Sequence, residues 1–236
     1  MEATVYKSEE RGQKDLGWLR SAHTFSFGGY HDPNKMGFGA LRVINDDYVA
    51  PGMGFGTHPH ANMEIISIPL EGDIEHQDSV GNQGIISEGD IQIMSAGTGI
   101  THSEFNHSKK KSLRFFQIWV TPNKQGVEPR HEQLNLSSLV KENEFYQVIS
   151  PYSFDQGLLI HQEAWFSMGQ LEAGYETSYD LKHQENGVFV MVISGKASVG
   201  GKLLDDRDGI AIHRTKELKV KAVTAATLLL IEVPIN

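Results

Sequence analysis

The stretch Gly52–Glu64 reads GMGFGTHPHANME: His58 and His60 stand one residue apart, behind three glycines and ahead of a carboxylate, Glu64. In extended backbone the side chains at i and i+2 share a face, so the two imidazoles converge on one point. Downstream, GTGITHSEFN (Gly97–Asn106) repeats that spacing with His102 and Glu104. Two same-face pairs on two strands supply three nitrogens and one oxygen, a protein half-shell for a divalent transition metal. With 11 histidines in 236 residues, a lone His-x-His pair would say little. The second pair, the glycine turns before both and the strand-like runs between them carry the metal reading.

Working outward, Met63–Leu70 (MEIISIPL) is apolar and β-branched and is turned by Glu71-Gly72-Asp73. Ile74–Ser79 and Ile91–Met94 read as further strands, with a hairpin turn at Val80–Gly84 and a small-residue bend at Ser95–Gly99. Leu113–Val120 (LRFFQIWV) is the strongest single strand. Upstream, His23–Phe27 alternates polar and aromatic residues as a half-buried strand does, and Leu41–Ile44 is another. His23, His31 and Asp32 are explained by turn chemistry and aromatic packing. Short, evenly spaced strands separated by Gly, Asp and Asn indicate an antiparallel barrel or jelly roll, not βαβ units.

Pro122–Pro129 ends this unit, so a metal-binding N-terminal domain at residues 1–133 and a C-terminal domain at residues 134–236 are expected. Helical pattern is confined to Leu136–Glu144. Strand-like runs then resume at Leu158–His161, Val188–Ile193, Lys196–Val199, Gly209–Ile212, Leu218–Val223 and Thr227–Val233. Gly195 stands to this half as Gly72 does to the first, and Asp208-Gly209 as Gly89-Asp90, the mark of a degenerate duplication. On that alignment His58, His60 and Glu64 fall on Leu181, His183 and Gly187. The second half therefore lacks a metal half-shell, and His161, His183 and His213 read as surface or core histidines.

The formal net charge of −9 argues against a nucleic-acid-binding surface, because phosphate contacts need clustered Lys and Arg. The basic run Lys109–Lys111 with Arg114 reads as a solvated loop or hairpin end. The chain has no cysteine, which removes disulfides and thiolate chemistry and leaves only nitrogen and oxygen donors for a metal. With no apolar signal region and no run of 18 apolar residues, cytoplasmic residence and no membrane association are expected.

The pattern Gly52…His58-Pro59-His60…Glu64, followed by Gly72, resembles the first sequence motif of the cupins, and Gly89–Asn106 resembles the second. The wording FGTHPHANME, EHQDS, IMSAGTGITHSE and the early HTFSF is similar to the pirin family, and within it to the bacterial pirin-like bicupins. The resemblance implies an all-β bicupin: two antiparallel β-sandwich or jelly-roll barrels packed together, with metal in the N-terminal one alone. Spacing leaves Glu64 and Glu104 both open as the fourth ligand. The resemblance implies His58, His60, His102 and Glu104, with Glu64 behind them.

What the family implies chemically is one divalent transition metal, Fe(II) first, with Ni, Co, Mn, Cu or Zn as alternatives that the donor set does not separate. The implied activity is 2,3-dioxygenation of a flavonol such as quercetin with release of carbon monoxide, Glu104 being the catalytic proton acceptor. Its partners are then a small polyphenol and dioxygen. A different class stays open: a non-enzymatic, metal- and redox-dependent regulator that binds a transcription factor or metabolic enzyme through protein contacts. Another cupin reaction on a small oxygenated metabolite is the third. Phe38, Met53, Phe55, Phe105 and Phe115 are the expected pocket lining, with His76 near the mouth.

Overall fold

Glycine and Asp/Asn turns cut the apolar runs into short strands, and the computed structural model, which describes residues 1–235, is built almost wholly of them. In chain order the strands are β1 (Glu2–Tyr6), β2 (Gly12–Asp15), β3 (Leu19–His23), β4 (Leu41–Val49), β5 (Gly54–His60), β6 (Glu64–Glu71), β7 (Ile74–Asp78), β8 (Gln83–Ile86), β9 (Asp90–Ser95), β10 (Ile100–Asn106), β11 (Leu113–Val120) and β12 (Arg130–Asn135). They continue as β13 (Phe145–Ser150), β14 (Leu158–Leu159), β15 (Trp165–Leu171), β16 (Glu176–Asp180), β17 (Asn186–Ser194), β18 (Ala197–Val199), β19 (Lys202–Leu204), β20 (Gly209–His213), β21 (Glu217–Ala222) and β22 (Ala226–Pro234).

Four sheets result. The first half pairs a seven-stranded sheet, β12-β9-β6-β11-β4-β3-β2, with a four-stranded one, β5-β10-β7-β8. The second half repeats the plan as β1-β20-β17-β22-β15-β13-β14 and β16-β21-β18-β19. The shared order is the duplication read from the turns, and the matched turn glycines Gly72 and Gly195 have φ of 80° and 85°. β1 departs from it: it pairs antiparallel with β20, so the first strand of the chain completes the second domain's large sheet.

Burial follows the layers. Between the sheets of the second domain, Val188, Val190, Leu218, Val220 and Leu230 belong to an apolar core. The backs of the two large sheets meet in the largest cluster, where Ile66, Phe116 and Ile118 join Phe189, Leu229 and Ile231. β6, β11, β17 and β22 are thus covered on both faces, which is why they read as continuous apolar runs and not as alternations.

Three expectations need correction. Among the described residues no sheet closes on itself, so each domain is an open two-sheet sandwich and not a barrel. A seam remains between edge strand β5 of the small sheet and edge strand β2 of the large one. The helix expected over Leu136–Glu144 is only a 3-10 turn, Leu136–Ser138, capped by the Asn135 side chain; its single buried residue, Leu136, gives a longer helix no apolar face to dock. The strand expected at His23–Phe27 ends at His23, after which Phe25 turns into the interdomain core. Among the described residues no helix is long and apolar enough to cross a membrane.

Candidate metal centre and adjoining pocket

β10 carries His102 and Glu104 on one face, 1% and 2% exposed. β5 pairs with it so that His58 lies opposite His102 and His60 opposite Ile100, while Glu104 faces Phe55. Two steps along β10 therefore match three along β5. This bulge at Gly56-Thr57 reverses the alternation and brings Phe55 to the same interior as His58 and His60. The ring centroids lie 4.5 Å (His58–His102), 4.8 Å (His58–His60) and 4.9 Å (His60–His102) apart. One ring nitrogen from each falls within 4.8 Å of the others. Glu104, His102 and His76 form a second grouping within the same span.

The surroundings hold these groups ready. His58 Nδ1 donates to Gly56 O at 2.8 Å, which fixes the tautomer and leaves Nε2 as the lone-pair nitrogen. The Glu104 carboxylate accepts from Ser67 Oγ on β6 at 2.9 Å and Gln117 Nε2 on β11 at 2.6 Å. Burial, then the neighbouring imidazoles, pushes His102 down to about 3 and His60 down to about 4, so both rings are neutral at pH 7. His60 Nε2 and both ring nitrogens of His102 are buried without a hydrogen-bond partner. Neutral rings with unpartnered nitrogens beside a carboxylate fit a divalent metal.

Glu64 is placed elsewhere. It lies three residues from Ser67 on β6, hence on the opposite face, and accepts from Ser95 Oγ at 2.9 Å and from the His161 backbone N–H at 3.3 Å. His76 is not at the pocket mouth. It is fully buried, with its ring 5.4 Å from His102 and 4.5 Å from His131, and its Nε2 3.2 Å from Asp78. It backs His102. Among the described residues no grouping that could hold a metal includes His161, His183 or His213.

A cavity of about 400 Å³ opens at the seam and is lined by His58, His60 and Glu104. Its apolar walls are Trp18, Phe27, Phe55 and Trp119. Trp119 stands edge-on to His60 at 4.9 Å and to Phe27 at 5.3 Å. Of the lining residues expected from the sequence, Phe55 is in place. Phe105, next to Glu104, points the other way and is exposed, as is Met53. Phe115 is buried with Leu19 and Val49 at the apolar end of the sandwich, and Phe38 packs against Gly187 at the domain junction. Sequence reasoning missed Trp18, Phe27 and Trp119, although Trp119 shares the period-two face of Gln117. It also set aside His23, which lines the cavity together with Asn45 and Asp47. Burial pushes Asp47 up to about 7, against the lowering effect of the Ser21 hydroxyl.

Comparison with known proteins agrees with this architecture. Residues 4–120 match the family described as Pirin, and residues 147–233 match the quercetinase C-terminal cupin domain. The chain is 42% identical over 228 residues to the quercetin 2,3-dioxygenase of Escherichia coli K12, covering 97% of both proteins. It is 39% identical to a pirin-like protein of Caulobacter vibrioides, covering 95% of this chain and 96% of the other. The crystal structure of the bacterial pirin YhhW from Escherichia coli in complex with nickel(II) superposes with a TM-score of 0.94 at 41% identity, over 100% of both chains. By sequence, by topology and by the histidines of its first domain, the chain belongs to the pirin family, the bicupins of the cupin superfamily that are closely related to quercetin 2,3-dioxygenases.

Proposed function

We propose that this protein is a metal-dependent dioxygenase that cleaves a flavonol such as quercetin, with His58, His60, His102 and Glu104 holding one divalent metal, Fe(II) by preference. The observation that carries the reading is the meeting of three imidazoles and a buried carboxylate beside an aromatic-sided cavity of about 400 Å³, into which His58, His60 and Glu104 face. Both its relative in Escherichia coli and the nickel(II)-bound pirin structure support it. Residues 1–133 carry the chemistry and residues 134–236 cover the back of its large sheet, with β1 lent across the junction.

A divalent metal bound there supplies a Lewis acid for the substrate's 3-hydroxyl and 4-keto oxygens and a redox partner for dioxygen. The protein's part is binding, orientation and proton transfer. Phe27, Trp119, Phe55 and Trp18 flank a flat aromatic ligand and keep water from it. The Glu104 carboxylate takes the 3-hydroxyl proton, and Ser67 and Gln117 fix its position for that task. In the overall reaction both atoms of dioxygen enter the products and the ring is opened; one ring carbon leaves as carbon monoxide with its own oxygen.

The test is oxygen uptake and loss of flavonol absorbance with metal-free, metal-restored and Glu104→Gln protein, alongside metal analysis of each. Turnover in the metal-restored protein alone, at one metal per chain, is the expected result. Equal rates in all three would remove the catalytic reading and favour the regulator.

A further inference from the structure

The inward face of the first large sheet carries a polar row that the chemistry above does not use. Gln117, which holds Glu104, lies across from Asn45 on β4, and Asn45 lies across from His23 on β3. Asp47, two residues along β4, lies across from Ser21. The row runs from Glu104 outward to Lys14, which lines the cavity from edge strand β2. His23 and Asn45 are 2% exposed and Asp47 is 3% exposed, yet His23 Nδ1, Asn45 Oδ1 and Asp47 Oδ1 all lack a hydrogen-bond partner. All three residues line the cavity. Buried polar atoms without protein partners on a cavity wall bond to what fills the cavity, to water when it is empty and to a hydrogen-bonding ligand when one is bound.

We infer that His23, Asn45 and Asp47 form a subsite for a hydroxylated ring of the substrate, next along the row from the metal donors, and that the subsite selects two hydroxyls in meta relation. This deepens the flavonol reading and rests on it. The amide and carboxylate oxygens are acceptors, so they call for phenolic O–H donors. Asn45 and Asp47 are i and i+2 on one strand, about 7 Å apart at Cα. Vicinal hydroxyls stand close together and bond to each other, so they serve one acceptor better than two. Meta hydroxyls diverge and can reach both. His23, across from Asn45, bonds to the same edge of the ring. A ligand with its keto and hydroxyl oxygens at the metal donors is thereby laid along the row toward the seam, between the aromatic walls.

The experiment compares three substrates on the metal-loaded enzyme: a flavonol with no further hydroxyl, its B-ring meta-dihydroxy analogue and its B-ring vicinal-dihydroxy analogue. The readouts are kcat/KM and, with metal-free protein, Kd from quenching of the cavity residues Trp18 and Trp119. Wild type should prefer the meta analogue to the plain flavonol by about 10-fold or more. Asn45→Leu and Asp47→Leu should bring that ratio to near unity in both readouts, and Asp47→Asn, which keeps an acceptor, should recover part of it. Melting temperature and metal content identify the variants that remain folded, and Asp47→Asn serves if the leucine variants do not fold. An unchanged ratio of meta analogue to plain flavonol in folded variants, or loss of a preference for the vicinal analogue instead, overturns the subsite while the dioxygenase stands. If loaded wild type turns over none of the three, the dioxygenase reading fails, and the Kd ratios alone judge the subsite.

Discussion

His102 and Asp47 are both buried, and burial moves them in opposite directions with opposite consequences for stability. The folded value of His102 is about 3 against an ordinary 6.5. Between those limits the unfolded chain binds a proton that the folded chain refuses. Stability contributed by neutral His102 is therefore full above pH 6.5 and falls as the pH drops below it, by about 2 kcal/mol at pH 5. Relative to wild type, metal-free His102→Gln protein should gain about that much on going from pH 7.5 to pH 5. Asp47 has its folded value near 7 against an ordinary 3.8. Its contribution is full below 3.8 and is lost as the pH rises through 7. Asp47→Asn should therefore stabilise the protein more at pH 7.5 than at pH 5, by about 2–3 kcal/mol. Urea unfolding of the two variants at both pH values checks both signs. A pH-independent difference from wild type in either would mean that the residue titrates near its ordinary value in the fold.

At the scale of the element, the β5–β10 ladder sets the site, and it depends on a glycine. A Cβ on Gly54 would lie 2.3 Å from Glu104 O and 2.4 Å from Phe105 Cα, both backbone atoms, whereas a Cβ on Gly56 would meet nothing within 4 Å. Gly54→Ala must push β5 off β10, which carries His58 and His60 away from His102. It should cost about 1–3 kcal/mol and most of the bound metal, while Gly56→Ala should leave both near wild type. Metal content and Tm of the pair decide it; full metal retention in Gly54→Ala would show that the ladder does not hold the histidines in place. The same ladder shows what could be read in advance. The i, i+2 pairs His58/His60 and His102/Glu104 were legible because period-two alternation fixes which residues share a face. The bulge that turns Phe55 inward depends on the partner strand, so no local pattern announces it. Phe105 was misjudged as lining although its position next to Glu104 already sets it on the other face. The meeting of His23, Asn45 and Gln117 is a register across three strands far apart in sequence, and turn chemistry at His23 gave a sufficient local explanation that hid it. Helical periodicity at Leu136–Glu144 failed for lack of a buried face, a tertiary fact.

Across the whole molecule, the two domains are joined by more than apolar contact between their large sheets. Asp46 on β4 lies on the junction face, alternate to Asn45 and Asp47, and is 6% exposed. Arg114 grips it through Nε and Nη2, both at 2.8 Å. Arg11 and Arg207 stand farther off, with Nη1 at 3.9 Å and 3.8 Å from Oδ2. Arg207 belongs to the second domain, in the turn between β19 and β20, and lies over the Phe116 ring of the first at 5.3 Å. Arg11 follows β1, bonds to the Arg207 carbonyl and Met191 Sδ, and is pushed down to about 10 by burial. One carboxylate thus faces three guanidiniums drawn from both domains and from the segment that follows the crossing strand. Removing it takes from the buried Arg11 and Arg207 their shared carboxylate, a loss of about 3 kcal/mol, because the desolvation of those arginines persists while Asp206, 3.9 Å from Arg207 Nε, offsets part of it. Asp46→Asn, similar in shape, should therefore lower Tm by on the order of 10 °C for a chain of this size. Calorimetry should show the protein melting in one transition, since β1 and the shared core tie the domains together, and the variant should shift that whole transition. Two resolved transitions in wild type, with only the first moved by Asp46→Asn, would show that the domains unfold independently and that this carboxylate serves β4 alone.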